Sequence, residues 1–220
     1  MRKLPLRLSM AVIAVFAVLT SASPASAYWA WGPTWTSPGS TRYLYIWGNS
    51  WTATQETAIS SANMKYDSAK TNAFTSGSAG TSTLNITGMF STSSLPGFEA
   101  APLKMSLISP EVWSFSPQYI AYTCRAGCSD YQNVNNNGIN TAKIVMNGGF
   151  SFASSFNLSQ MQVDTQTIAL HELGHAHGLG HPNGDNTALT AAESVAVMNF
   201  TSTTKRNLTL DDIQGLESIY

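Results

Sequence analysis

His171-Glu172-Leu173-Gly174-His175-Ala176-His177-Gly178-Leu179-Gly180-His181 constrains this chain more than any other segment. It reads H-E-x-x-H-x-x-G-x-x-H without a mismatch. His171 and His175 are four residues apart, so on a helix their imidazoles project from one face, one turn above the other. Two ring nitrogens so placed reach one metal ion at about 2.0–2.1 Å. Glu172 follows the first ligand, where its carboxylate reaches water at the metal. Gly178 falls where the helix must stop, and glycine enters the left-handed conformation at little cost. His181 then approaches the metal from another direction. Three histidines and an open fourth position describe a catalytic zinc rather than a structural one. A bare H-E-x-x-H arises by chance on exposed helices, whereas the longer pattern with its glycine hinge is far more specific.

The 220 residues suffice for one domain with a sizeable core. The first 27 read instead as a secretory signal peptide. Arg2, Lys3 and Arg7 form a basic start, Leu8 to Leu19 is mostly apolar, and Ala25-Ser26-Ala27 offers a small-residue cleavage site. A retained N-terminal anchor is the alternative, but the apolar run is short for a membrane span. Cleavage after Ala27 leaves a 193-residue domain, 28–220, and removes three basic residues and no acidic one. Eight Lys and Arg then face 12 Asp and Glu, a formal net charge of −4. That balance offers no footprint for nucleic acid. The expected protein is secreted and extracellular, a monomer, and free of the membrane once the leader is removed. Cys124 and Cys128 are the two cysteines. In an exported chain so close a pair forms a disulfide closing a small loop, with two free thiols as the alternative.

Along the mature chain, Tyr28-Trp29-Ala30-Trp31-Gly32-Pro33-Thr34-Trp35 is dense in aromatics. It reads as a sugar- or surface-binding strip, or as an arm lying over the core; burial is the commoner use of large aromatics. Arg42 to Trp47 alternates as a strand does. Thr52 and Gln55 form a capping box for a helix to about Lys70, with Ile59, Ala62, Tyr66 and Ala69 on one face. Residues 71–83 read as loop. Strands are expected over Leu84 to Phe90, Leu103 to Ile108, Gln118 to Thr123 and Thr141 to Asn147. Asp164 is a good N-cap for the zinc helix, Thr165 to about His177. A last helix opens at Thr209-Leu210-Asp211-Asp212, with acidic residues in its first turn. The order implies one α+β domain: a twisted sheet carrying helices, with a smaller helical C-terminal part below the site. Calcium has hard oxygens available in Asp130, Asp185 and the Asn-rich loop from Asn133 to Asn140, but no recognisable calcium loop. Turn formation is the plainer reading of these residues.

The zinc motif resembles that of the metzincin metallopeptidases, and more narrowly the matrixin type in a short secreted form. Asp164-Thr165-Gln166-Thr167-Ile168-Ala169-Leu170 leads into the motif as in that group, and Leu210-Asp211-Asp212-Ile213-Gln214-Gly215-Leu216 resembles its closing helix. The likeness is strong from about 141 to 220, looser over 40–70 and absent from roughly 71 to 140. It implies a mostly five-stranded sheet with two long helices and a small C-terminal subdomain. It also implies that Met198, in Val197-Met198-Asn199, floors the site in a Met-turn without being a ligand. An ordinary core methionine is the alternative. The resemblance further implies that Asp211 or Asp212 holds the mature N-terminal ammonium; simple helix capping is the alternative there.

The chain departs from the family pattern at four points. Three of its four histidines belong to the motif and His177 lies inside it as a spacer, so no histidine-built second zinc site exists. No cysteine precedes Cys124, so a prodomain cysteine switch is missing. Asn199-Phe200-Thr201 stands where proline usually follows the turn methionine. Phe200 lacks the hydroxyl that other metzincins place there.

These residues predict a secreted endopeptidase acting on proteins or peptides with one catalytic zinc, Glu172 serving as general base. Substrate would pair with an edge strand, for which Lys143 to Phe150 is the candidate. A secreted zinc-binding module and a hydrolase of non-peptide substrates are the alternatives. An intact Glu172 argues against the first, because a binding site needs no base.

Overall fold

A computed structural model of the chain describes residues 35, 42–73, 86–125, 139, 141–182 and 188–219. In chain order these form β1 (Arg42–Trp47), α1 (Ala53–Ala73), β2 (Ile86–Thr92), α2 (Leu95–Ala100), β3 (Leu103–Ile108), β4 (Ala121–Arg125), β5 (Ala142–Asn147), β6 (Ser151–Ala153), β7 (Gln162–Asp164), α3 (Thr165–Ala176), α4 (Ala191–Val195) and α5 (Leu210–Ile219). The main sheet has five strands in the order β2-β1-β3-β5-β4. Neighbours are parallel except β4, which runs antiparallel to β5. This is the α+β architecture expected, with four of its five strands placed near their predicted positions and β4 about three residues later.

The period of two along the strands explains which face is covered. Leu44 and Ile46 of β1, Leu103 and Met105 of β3, and Ala142, Ile144 and Met146 of β5 are fully buried. Ile59, Ala62 and Tyr66, at helical spacing on α1, and Ile168, Ala169 and Leu173 on α3 join them in one core. α1 opens as its capping box requires: Thr52 N–H donates to Gln55 Oε1 at 2.9 Å and Gln55 N–H to Thr52 Oγ1 at 3.3 Å. The Tyr66 hydroxyl donates to the Leu170 carbonyl at 2.8 Å and ties α1 to α3 one residue before the first motif histidine.

Trp35 is the one member of the aromatic arm among the described residues. It is 2% exposed, and its indole N–H donates to the Ala176 carbonyl at the end of α3, 3.1 Å away. At this position the arm is core.

One expectation is corrected. β5 is flanked by β3 and β4, so Lys143 to Phe150 does not supply the edge strand; among the described residues the outer strands are β2 and β4, and β4 is the one that lines the cleft with the motif histidines. The pairing order depends on contacts between strands and leaves no trace in the local pattern of either. β6 and β7 form an unexpected two-stranded parallel sheet. Three residues each is too short to show a periodicity. No helix of the described residues is long and apolar enough to cross a membrane.

Candidate metal centre

α3 is built to hold its histidines still. Its N-cap, Asp164, is fully buried and accepts from Thr167 N–H at 2.8 Å and from Thr167 Oγ1 at 2.7 Å. Arg206 donates to the same carboxylate through Nε and Nη2. Burial pushes the Asp164 carboxyl upward, but hydrogen bonds from Arg206 and Thr167 outweigh it and hold the group below the usual carboxylate range. α3 ends at Ala176, and Gly178 takes φ +99°. Leu179 N–H donates back to the Gly174 carbonyl at 2.9 Å, closing the turn that the motif glycine predicts. The reversed chain brings His181 over the helix face.

His171, His175 and His181 converge, their ligand atoms all within 4.8 Å of one another. His181 Nε2 lies 3.2 Å from His171 Nε2 and 3.1 Å from His175 Nε2. His171 Nδ1 is 2.9 Å from the Val197 carbonyl, and His175 Nδ1 is 2.8 Å from that of Leu179. A carbonyl only accepts, so both Nδ1 atoms carry the proton and both Nε2 atoms present lone pairs. A single proton on His181 could serve only one of the two close contacts. Three inward nitrogens, two of them on rings fixed in this way, fit a cation, and an all-imidazole set with no thiolate suits zinc. Burial drives the His171 pKa down to about 4, so a proton is a poor substitute for the metal.

Glu172 is 7% exposed and lies beside the cleft formed by β4 and α3. That cleft measures about 450 Å³ and is lined by Gln118 to Thr123, Ile168, the motif histidines, Glu172 and Phe200. Burial raises the Glu172 pKa to about 7, opposed by a hydrogen bond from Thr123. Phe200 is 41% exposed at the rim, its ring centroid 5.9 Å from that of His171.

Met198 lies under α3. A Cβ added at Gly174 would stand 2.2 Å from Met198 Sδ and 2.8 Å from Tyr66 Oη, so the methionine packs against the helix where only glycine leaves room. Gly174→Ala is expected to destabilise the fold by about 2 kcal/mol despite the better helix propensity of alanine. Urea unfolding measures this, and zinc affinity should fall with it as Met198 shifts.

The turn carrying Met198 is fastened from below. Asp212 Oδ2 accepts from Val197 N–H at 3.0 Å, and Asp212 Oδ1 from Met198 N–H at 3.2 Å. Thr209 N–H also donates to Asp212 Oδ2, at 2.8 Å. The Asp212 carboxylate is thus filled by the turn and by the start of α5. Asp211 is 6% exposed, and burial, Asp212 and Glu193 push its pKa up to about 6. Tyr28 lies outside the described residues, as do Cys128, Asp130, Asp185 and the Asn-rich loop except Ile139. Cys124 lies in β4.

Several supports were not foreseen. Lys205 Nζ reaches the carbonyls of Asn199 at 2.6 Å and Ala196 at 2.8 Å, on both sides of the turn. Nothing local in the sequence signals that contact. α4 was also missed, although Thr190 and Glu193 form a capping box whose S/T-x-x-E spacing was there to be found. His177, the spacer of the motif, faces protein: it is fully buried with its ring 5.0 Å from that of Tyr66.

A comparison with curated proteins finds no match. The family model described as Matrixin (Peptidase_M10) matches residues 48–220. The match runs through 71–140 and so corrects the expectation that the likeness is absent there. Covering most of the chain and including the three-histidine cluster that fits zinc, it establishes that this protein belongs to the matrixin family of metallopeptidases.

Proposed function

We propose that the chain is a secreted zinc endopeptidase in which Glu172 is the general base. The observation carrying this reading is the Glu172 carboxylate, buried next to His171 and lining the same cleft as the outer strand β4. His171, His175 and His181 would hold one zinc ion. Bound there, zinc supplies Lewis-acid chemistry, acidifying water and polarising a carbonyl. Glu172 takes a proton from the attacking water and returns it to the departing amine. Burial raises the Glu172 pKa, so its carboxylate holds a proton taken from water more firmly than an exposed one would.

Among the described residues β4 is paired on one side only, so an extended peptide laid along it would gain main-chain hydrogen bonds on the other. Phe200 borders the cleft as an apolar wall and, without a hydroxyl, offers no donor to the reaction. Casein digestion tests the reading. Zinc-dependent cleavage at internal bonds supports it, and release of only terminal residues, or cleavage that persists in a strong chelator, contradicts it.

Residues 1–27 are read as the export signal and 28–220 as the mature enzyme. Under that processing the Tyr28 ammonium becomes available to Asp211. Asp212 is already filled, while Asp211 is a buried carboxyl next to two other acidic groups. Adding two residues before Tyr28 is expected to lower kcat about threefold and thermal stability slightly, within the range of a partly buried ion pair. Unchanged kinetics and melting in the extended form would assign Asp211 to helix capping alone.

A further inference from the structure

We propose that Thr123, on the outer strand β4, is a positioning residue that fixes the rotamer of Glu172 and leaves one carboxylate oxygen for the reaction. The inference rests on Glu172 being the general base. Thr123 is 8% exposed, 49 residues from Glu172 in sequence, and directly across the cleft wall from it. Its hydroxyl donates to Glu172 Oε2 at 2.5 Å and lies 3.1 Å from the backbone carbonyl of the same residue. One side chain therefore touches both ends of Glu172. A glutamate free to sample its rotamers would spend most of its time away from the productive one.

The division between the two oxygens follows from the same contacts. Oε2 is held against the sheet edge. Among the described residues no group donates to Oε1, and Glu172 itself lines the cleft. The strand that would receive the peptide thus also orients the base, which sets carboxylate and substrate in one frame. Among the described residues the Thr123 hydroxyl bonds to Glu172 and to none of the three histidines, so it acts through Glu172.

The test compares purified zinc-loaded variants on a fluorogenic peptide. Thr123→Val keeps the side-chain shape and strand preference but removes the hydroxyl. It is expected to lower kcat by about 10- to 100-fold, with KM within about twofold and zinc affinity within about threefold of wild type. Thr123→Ser, which restores the hydroxyl, is expected to recover kcat to within about threefold. Urea unfolding gives a readout independent of activity: Thr123→Val and Glu172→Ala should be non-additive, since each deletes a partner in one bond.

Wild-type kcat in Thr123→Val, a serine variant as slow as the valine one, or strictly additive unfolding would overturn the positioning role. Should Thr123→Val not fold, Thr123→Ala set against Thr123→Ser makes the same comparison. Glu172→Gln separates the two levels. If it is inactive while Thr123→Val is unimpaired, only the positioning role fails. If Glu172→Gln keeps its activity, the assignment of the base fails too.

Discussion

Glu172→Gln is expected to retain zinc and to lose peptide hydrolysis by about 10³- to 10⁴-fold in kcat. The amide has nearly the size of the carboxylate, and its oxygen can still accept from Thr123. What it cannot do is take a proton from water. The outer partners of His171 and His175 are the carbonyls of Val197 and Leu179 and not Glu172, so the change leaves both rings held as they are. The loss should therefore fall on kcat, with zinc content and melting temperature close to wild type. A parallel fall in zinc content would make Glu172 a structural support of the site.

Removing the metal should have the second large effect. In the protein three imidazole nitrogens converge within 4.8 Å, two of them fixed as lone pairs by Nδ1–H bonds to carbonyls. Without a cation those lone pairs oppose one another. Free zinc at about a thousand times its Kd adds roughly 4 kcal/mol to folding stability. A strong chelator should thus abolish activity and lower the melting temperature by roughly 10 °C. Acid acts in the same direction. His171 titrates near 4 in the fold, against an ordinary value of 6.5. Between those values the unfolded chain binds a proton that the folded chain does not, so stability falls as pH drops from about 6.5 towards 4. Calorimetry across that window, with and without chelator, follows both effects. Equal melting temperatures in the two conditions would show that the histidines hold no stabilising ion.

What the sequence carried and what it hid differ in a physical way. The zinc helix was legible because its signals are local: an N-cap at Asp164, two histidines one turn apart, and a glycine placed for positive φ. The same holds for α1, where Thr52 and Gln55 cap each other, and for β1, β3 and β5, where alternation marks the buried face. Strand order is decided by pairing across the sheet, so the outer position of β4 could not be read from residues 121–125 alone. Thr123 reaches Glu172 and Asp212 reaches Val197 through folding, across spans with no periodic signal. Nothing local in the sequence separates Asp211 from Asp212. The structure distinguishes them, because only Asp212 lies where the backbone N–H groups of the Met198 turn arrive.

Zinc uptake by the wild type and by His181→Ala, at equal protein concentration under buffered free zinc, tests the account most directly. The wild type should take up one ion per chain at the motif. The variant, left with His171 and His175 alone, should bind far more weakly and show no proteolysis at the same free zinc. Equal uptake by both, or proteolysis undiminished in the variant, would contradict a catalytic ion held by these three histidines.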